Sequence, residues 1–266
     1  MTRTARSAAQ ITSLVCLLTA AAVLAGPVAI ASTVTSPLPG VTQPAKTQPA
    51  KGQAAAAPAP ASAASLQAAA SDYASIFAAQ NANLTNSGWA TCAAPIGWTV
   101  DSHELTTAET ATQVANLQWA FDQWAAVSGL SFRYEGQLAV NYDDAAFTMK
   151  PADGSVAALR HIYLDFVPSA ESTRLGGGTV GLGSPSQVIS AAKEIVGGAA
   201  VFRVDHVKKS GAVEDKSLYL HELGHVLGLA HANETANIMY PIVTDHVALG
   251  SGDVNGVKLM AKPCSA

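Results

Sequence analysis

Basic residues are scarce in this chain: 15 lysines and arginines stand against 19 aspartates and glutamates, for a net charge of -4. This modest acidic surplus argues against a nucleic-acid partner, which would normally meet a basic patch or stripe, and gives no reason to expect an anionic membrane surface. Cysteine is scarcer still, at three in 266 residues, so no cysteine cluster competes with histidine for a metal. The glycine-rich run Leu175-Gly-Gly-Gly-Thr-Val-Gly-Leu-Gly183 is not followed by the Gly-Lys-Ser/Thr of a phosphate loop. It reads instead as a loop with unusual backbone angles or close packing. No internal repeat is visible.

What is present begins with Arg3 and Arg6, an apolar run from Ile11 to Ala25, and the small-x-small sequence Ala29-Ile30-Ala31. This three-part pattern predicts a secretory signal peptide over 1–31 and therefore a secreted, extracellular protein. The apolar run is short against the roughly 20 residues needed to span a bilayer, so no stable membrane anchor is expected. Without the leader, 13 basic residues face 19 acidic ones. Residues 32–88 read as a flexible Pro/Ala-rich linker or pro-region, because 32–64 hold almost no large apolar group to offset ordering entropy. A short helix is expected at 65–80, with Ser65 as a candidate N-cap. Cys16 leaves with the leader. The remaining pair, Cys92 and Cys264, predicts a disulfide in an exported chain; the alternative is a free Cys92 thiol that masks a metal in a precursor.

One domain is expected over 89–266. Ile96, Trp98 and Val100 alternate as a first strand. Thr106 and Glu109 form a candidate capping box, followed by Val114, Leu117, Phe121 and Trp124 at helical spacing and by Gly129 as terminator. Further strands are expected at Leu130–Tyr134, Ile162–Phe166 and Ala200–Asp205. Helices are expected from about Glu214 to Gly228 and from Ser251 to Lys262.

The first of these late helices carries the chemistry, in His221-Glu-Leu-Gly-His225-Val-Leu-Gly228-Leu-Ala-His231. Residues four apart share a helix face, so His221 and His225 can offer two imidazoles to one ion. Gly228 lets the helix stop and the chain turn, bringing His231 back as a third ligand. Three protein ligands leave zinc an open position for water, the catalytic arrangement. Glu222, beside the first ligand, is placed to reach that water as general base. The remaining histidines, His103, His161, His206 and His246, stand singly and read as structural or exposed.

The run HELGHVLGLAH resembles the long zinc signature of the metzincins. Eight residues beyond His231, Met239 lies in Asn237-Ile238-Met239-Tyr240-Pro241, which resembles their Met-turn and most resembles the matrixin branch, bacterial type. The resemblance implies an α+β fold: a metzincin, zincin-like catalytic domain with a twisted mixed sheet, long helices and a small C-terminal subdomain after Gly228. It implies one catalytic zinc, Met239 as a hydrophobic floor beneath the histidines, and Gly228 and Pro241 at structural turns. An extended protein or peptide substrate would pair with the edge strand of the sheet. Two features of matrixins are missing: the His-x-Asp of their structural zinc, and the Arg-Cys-Gly switch of their zymogens. Calcium near Asp143, Asp144 or the glycine-rich run is left open, with no convincing ligand pattern there. The expected function is thus a secreted, monomeric zinc endopeptidase. Two alternatives remain: a binding or adhesion protein that keeps the fold without turnover, and a zinc amidohydrolase acting on a non-protein substrate.

Overall fold

The computed structural model describes residues 71–78, 81–91, 94–243 and 245–263. The expected leader, the linker as far as residue 70, Cys16, Cys92 and Cys264 lie outside these residues. Among the described residues, seven strands and three longer helices carry the fold: β1 (Ile96–Asp101), α1 (Thr107–Ser128), β2 (Phe132–Gln137), β3 (Val140–Asp143), β4 (Thr148–Pro151), β5 (His161–Val167), β6 (Gly181–Ile189), β7 (Glu194–Arg203), α2 (Ala212–Val226) and α3 (Ser251–Met260), with single helical turns at Ala82–Leu84 and Val204–Val207. A twisted five-stranded sheet runs in the order β2-β1-β5-β7-β6, and β3 pairs with β4 as a separate hairpin. The first four strands are mutually parallel, while β6 closes one edge antiparallel to β7. This is the α+β architecture expected above.

Parallel strands are covered on both faces and read as continuous apolar runs, and here every residue of β1 and β5 is buried. The main core lies between one sheet face and the helices. Trp98 of β1 stacks on Phe121 of α1 at 4.8 Å between ring centroids, and Tyr219 of α2 meets Phe202 of β7 edge-on at 4.6 Å. Two indoles lock α2 to its surroundings while packing in that core: Trp124 Nε1–H donates to the Leu220 carbonyl and Trp89 Nε1–H to that of Val226, both at 3.0 Å. On the opposite face, Phe147 and Met149 from the β3–β4 region pack with Tyr163, Leu175 and Val201. Helix α1 starts and stops as its sequence dictates. Thr106 and Glu109 form the reciprocal capping box, and Gly129 takes a left-handed φ of 74°.

The segment ahead of Trp89 also packs. Ser75 bridges Leu229, Ile76 N–H donates to the Gly228 carbonyl at 2.8 Å, and Phe77 and Leu84 are buried in the main core. The helix expected at 65–80 therefore does not run through 72–78, which are extended and then turn. Backbone pairing with Leu229 and Ala230, together with burial of Phe77, competes successfully with the local helical tendency.

One expectation is corrected. A disulfide needs Cα atoms about 4.4–6.8 Å apart and aligned Cβ vectors, and no cysteine pair is near bonding distance. Among the described residues, backbone hydrogen bonds join the two ends of the domain: Thr91 N–H donates to the Lys262 carbonyl, and Lys262 N–H to that of Trp89. Among the described residues, no helix is long and apolar enough to cross a membrane.

Candidate metal centre

Helix α2 opens with Glu214 and Asp215 in its first turn, where acidic groups suit the positive end of the helix dipole. From Ser217 to Gly224 every residue is buried, so the helix passes through the interior rather than lying on it. Such a path requires small residues where neighbours press closest. A Cβ on Gly224 would overlap the sulfur of Met239 and stand 3.0 Å from the Trp124 ring. A Cβ on Gly181 of β6 would come within 2.8 Å of the Glu222 side chain, and one on Gly183 would overlap the Glu222 carbonyl. The glycines of the run 175–183 thus allow the edge strand to lie directly on the helix turn that carries Glu222.

The helix ends in a Schellman motif. Leu229 N–H donates to the Gly224 carbonyl at 3.0 Å and Gly228 N–H to that of His225 at 2.9 Å, with Gly228 at φ 109°. That backbone angle strains any residue but glycine. The reversal carries the chain back so that His221, His225 and His231 converge, with one nitrogen from each within 4.8 Å of the others. His221 Nδ1 and His225 Nδ1 each lie 2.8 Å from a carbonyl, of Ile238 and Leu229 respectively. A carbonyl only accepts, so both Nδ1 atoms carry the proton and both Nε2 lone pairs are left for an ion. Burial, with the neighbouring histidines, pushes His221 down to about 4 and His225 to about 3, so both rings are neutral near pH 7. Three convergent imidazoles, two of them neutral with carbonyl-oriented rings, fit a zinc ion in donor type and protonation.

Met239 is buried beneath this centre against Gly224. Its turn is held by Asp253 of α3, whose carboxylate accepts from Ile238 N–H at 2.6 Å, Met239 N–H at 3.2 Å and Gly250 N–H at 2.7 Å. Pro241 stands exposed at the bend that follows. Glu222 is itself buried. Desolvation pushes it up to about 8, against a hydrogen bond from the Gly183 backbone that works to lower it.

The structure therefore brings together all three predicted ligands, with Glu222 and Met239 packed around them. Sequence reasoning missed Gly224, Gly181, Gly183 and Asp253 as parts of the site. The run of glycines gave a signal, and both its readings are realised: Gly181 and Gly183 pack closely on α2, and Gly177 takes a left-handed φ of 61°. His103, read as solitary, instead groups with Asp101 and Asp165 in a second cluster.

Fold and site together define a zinc-binding, protease-like domain. Residues 89–260 match the family model for matrixin, a peptidase family, and the chain belongs to that family. It is also similar to metalloendoproteinase 2-MMP of Arabidopsis thaliana, with 39% identity over 54 residues, a stretch of 19% of this chain and 14% of that protein. The chain thus matches only a small part of that relative's length.

Proposed function

We propose that this chain is a secreted zinc endopeptidase of bacterial matrixin type that hydrolyses peptide bonds by direct attack of water. The observation that carries the reading is Glu222, a buried carboxylate next in sequence to the first of three convergent imidazoles and packed against the sheet's edge strand. His221, His225 and His231 would hold the ion through nitrogen, leaving one position open. Zinc, when bound, supplies Lewis-acid polarisation of the scissile carbonyl and acidifies water. Glu222 takes a proton from that water and later delivers it to the departing amide nitrogen. The positive charge of an ion beside it favours the ionised carboxylate that this first step requires. Strand β6 ends the sheet, so its outer edge can accept an extended peptide by strand addition. Met239 keeps its floor role, and Gly228 and Pro241 their turns. The division into leader 1–31, linker or pro-region 32–88 and catalytic domain 89–266 is part of the same proposal.

The test is hydrolysis of an unstructured protein such as casein. Activity is expected in the zinc-loaded chain and is lost on chelation. Glu222→Ala should lower turnover by about 10²–10⁴-fold while retaining zinc. Zinc retention without turnover in the wild type would favour the binding-protein alternative. Cleavage of no peptide in a broad library would overturn the endopeptidase reading.

A further inference from the structure

A second group of metal-ligating side chains lies at the carboxyl ends of two neighbouring parallel strands. Asp101 ends β1 and is in register with Asp165 of β5, and His103 follows two residues after Asp101. The three donor atoms lie within 4.8 Å of one another, with both carboxylates buried and the histidine exposed. None of these residues belongs to the three-histidine centre.

The two carboxylates are not equally satisfied. Asp101 accepts from His103 N–H at 3.1 Å and from Val140 N–H at 2.8 Å, and its Oδ1 also lies 2.8 Å from His103 Nδ1. Asp165 is 3% exposed. It accepts a hydrogen bond from the Phe166 backbone, but its Oδ1 is buried with no hydrogen-bond partner among the described residues. A buried oxygen left in that state costs about 1–3 kcal/mol, more if charged. Two buried carboxylates beside one imidazole also leave an excess of negative charge even when the ring is protonated. Desolvation first, and then the Asp101 charge, push Asp165 up to about 7. The arrangement lacks a positive charge on the side where the Asp165 oxygen, the Asp101 oxygen and the imidazole nitrogen meet. His103 also lines a cavity of about 450 Å³ together with Ser102, Tyr134 and Gln137, so the imidazole is open to solvent on that side.

We propose that Asp101, His103 and Asp165 form a second divalent-cation site, of the zinc class, that ties β1, β5 and the loop into α1 together. Two carboxylate oxygens and one imidazole nitrogen are a donor set that four-coordinate zinc accepts, with water completing the shell. Calcium prefers six to eight oxygens, which these three side chains do not supply. Binding would displace the protons held by His103 and Asp165 and give the orphaned oxygen its partner.

The test counts bound metal on the full chain, stripped by chelator, dialysed against micromolar zinc and analysed by mass spectrometry. Wild type is expected to hold two equivalents. His103→Ala and Asp165→Asn should each hold one, and so should His225→Ala. Combining His225→Ala with His103→Ala should leave none. If the three-histidine centre failed to bind, wild type would hold one equivalent that His103→Ala loses and His225→Ala keeps, which still supports the second site. His103 is exposed, so its replacement does not threaten folding and carries the result if Asp165→Asn misfolds. Equal zinc content in wild type and His103→Ala, whatever that content, overturns the proposal. So does exchange of the second zinc for calcium at equal concentration, since it would mean an oxygen-rich site elsewhere.

Discussion

The most legible residues were those whose geometry follows from helical spacing. His221, Glu222 and His225 are fixed by one turn of α2, and His231 by the glycine that ends it. The positions hidden from the sequence are those defined by a distant neighbour. Asp253 lies 14 residues beyond Met239 with no spacing that ties the two together, yet it receives the backbone N–H groups of Ile238 and Met239 as well as that of Gly250. Asp253→Ala would leave those donors buried and unpaired, so a loss of about 3 kcal/mol or more is expected by urea denaturation. Zinc affinity should weaken with it, because the Ile238 carbonyl that orients His221 sits on the same turn. The close packing read for the glycine run gains a partner for Gly183 only when β6 is seen against α2. Gly183→Ala would drive a methyl into the Glu222 carbonyl, a backbone atom that cannot rotate aside. A loss of roughly 3 kcal/mol, read as a fall in Tm, is expected.

At the scale of elements, α1 was readable from end to end, because its cap, its apolar spacing and its terminal glycine all agree. Thr106→Ala should therefore cost about 1 kcal/mol in chemical denaturation, the usual value of a lost N-cap. Strand β6 and the β3–β4 hairpin were not readable. β6 contains Gly181, Gly183 and Pro185, which are depleted in strands. They are tolerated because β6 is an edge strand and because α2 presses against it. The hairpin strands have four residues each, too few for a periodic signal. Helix α2 was located by its motif more than by its pattern, since a helix buried on most sides shows little amphipathic contrast. Its attachment to α1 rests partly on the bond from Trp124 to Leu220. Trp124→Phe removes the donor and part of the ring, and a destabilisation of about 2 kcal/mol is expected.

At the scale of the whole molecule, residues 72–78 join the body of the domain next to the reversal that delivers His231. Asp72 anchors them by accepting from the backbones of Asn233 and Glu234 and from the Asn233 side chain. Burial works to raise its pKa, but these hydrogen bonds prevail and hold it below the ordinary value. For a carboxylate with a depressed folded-state pKa, the stabilisation is present above the unfolded value of about 3.9 and is lost as pH falls through the folded one. The protection factors of the Ile76 and Ala230 amides, taken against intrinsic exchange at each pH, should therefore fall below about pH 4, and Asp72→Asn should show reduced protection already at pH 7. Unchanged protection in that variant would mean that Phe77 alone holds the segment.

The edge position of β6 has a further consequence, for the protein's behaviour in concentrated solution. An edge strand of the kind proposed above to take a substrate peptide can also accept a strand from another molecule, the usual seed of sheet-to-sheet aggregation. Pro185 removes one donor from that edge, and irregular register around Gln187 breaks the ladder into short pieces. The edge thereby offers too little continuous backbone for a neighbouring sheet to grow on, so the features that obscure β6 in the sequence also work against strand-to-strand growth.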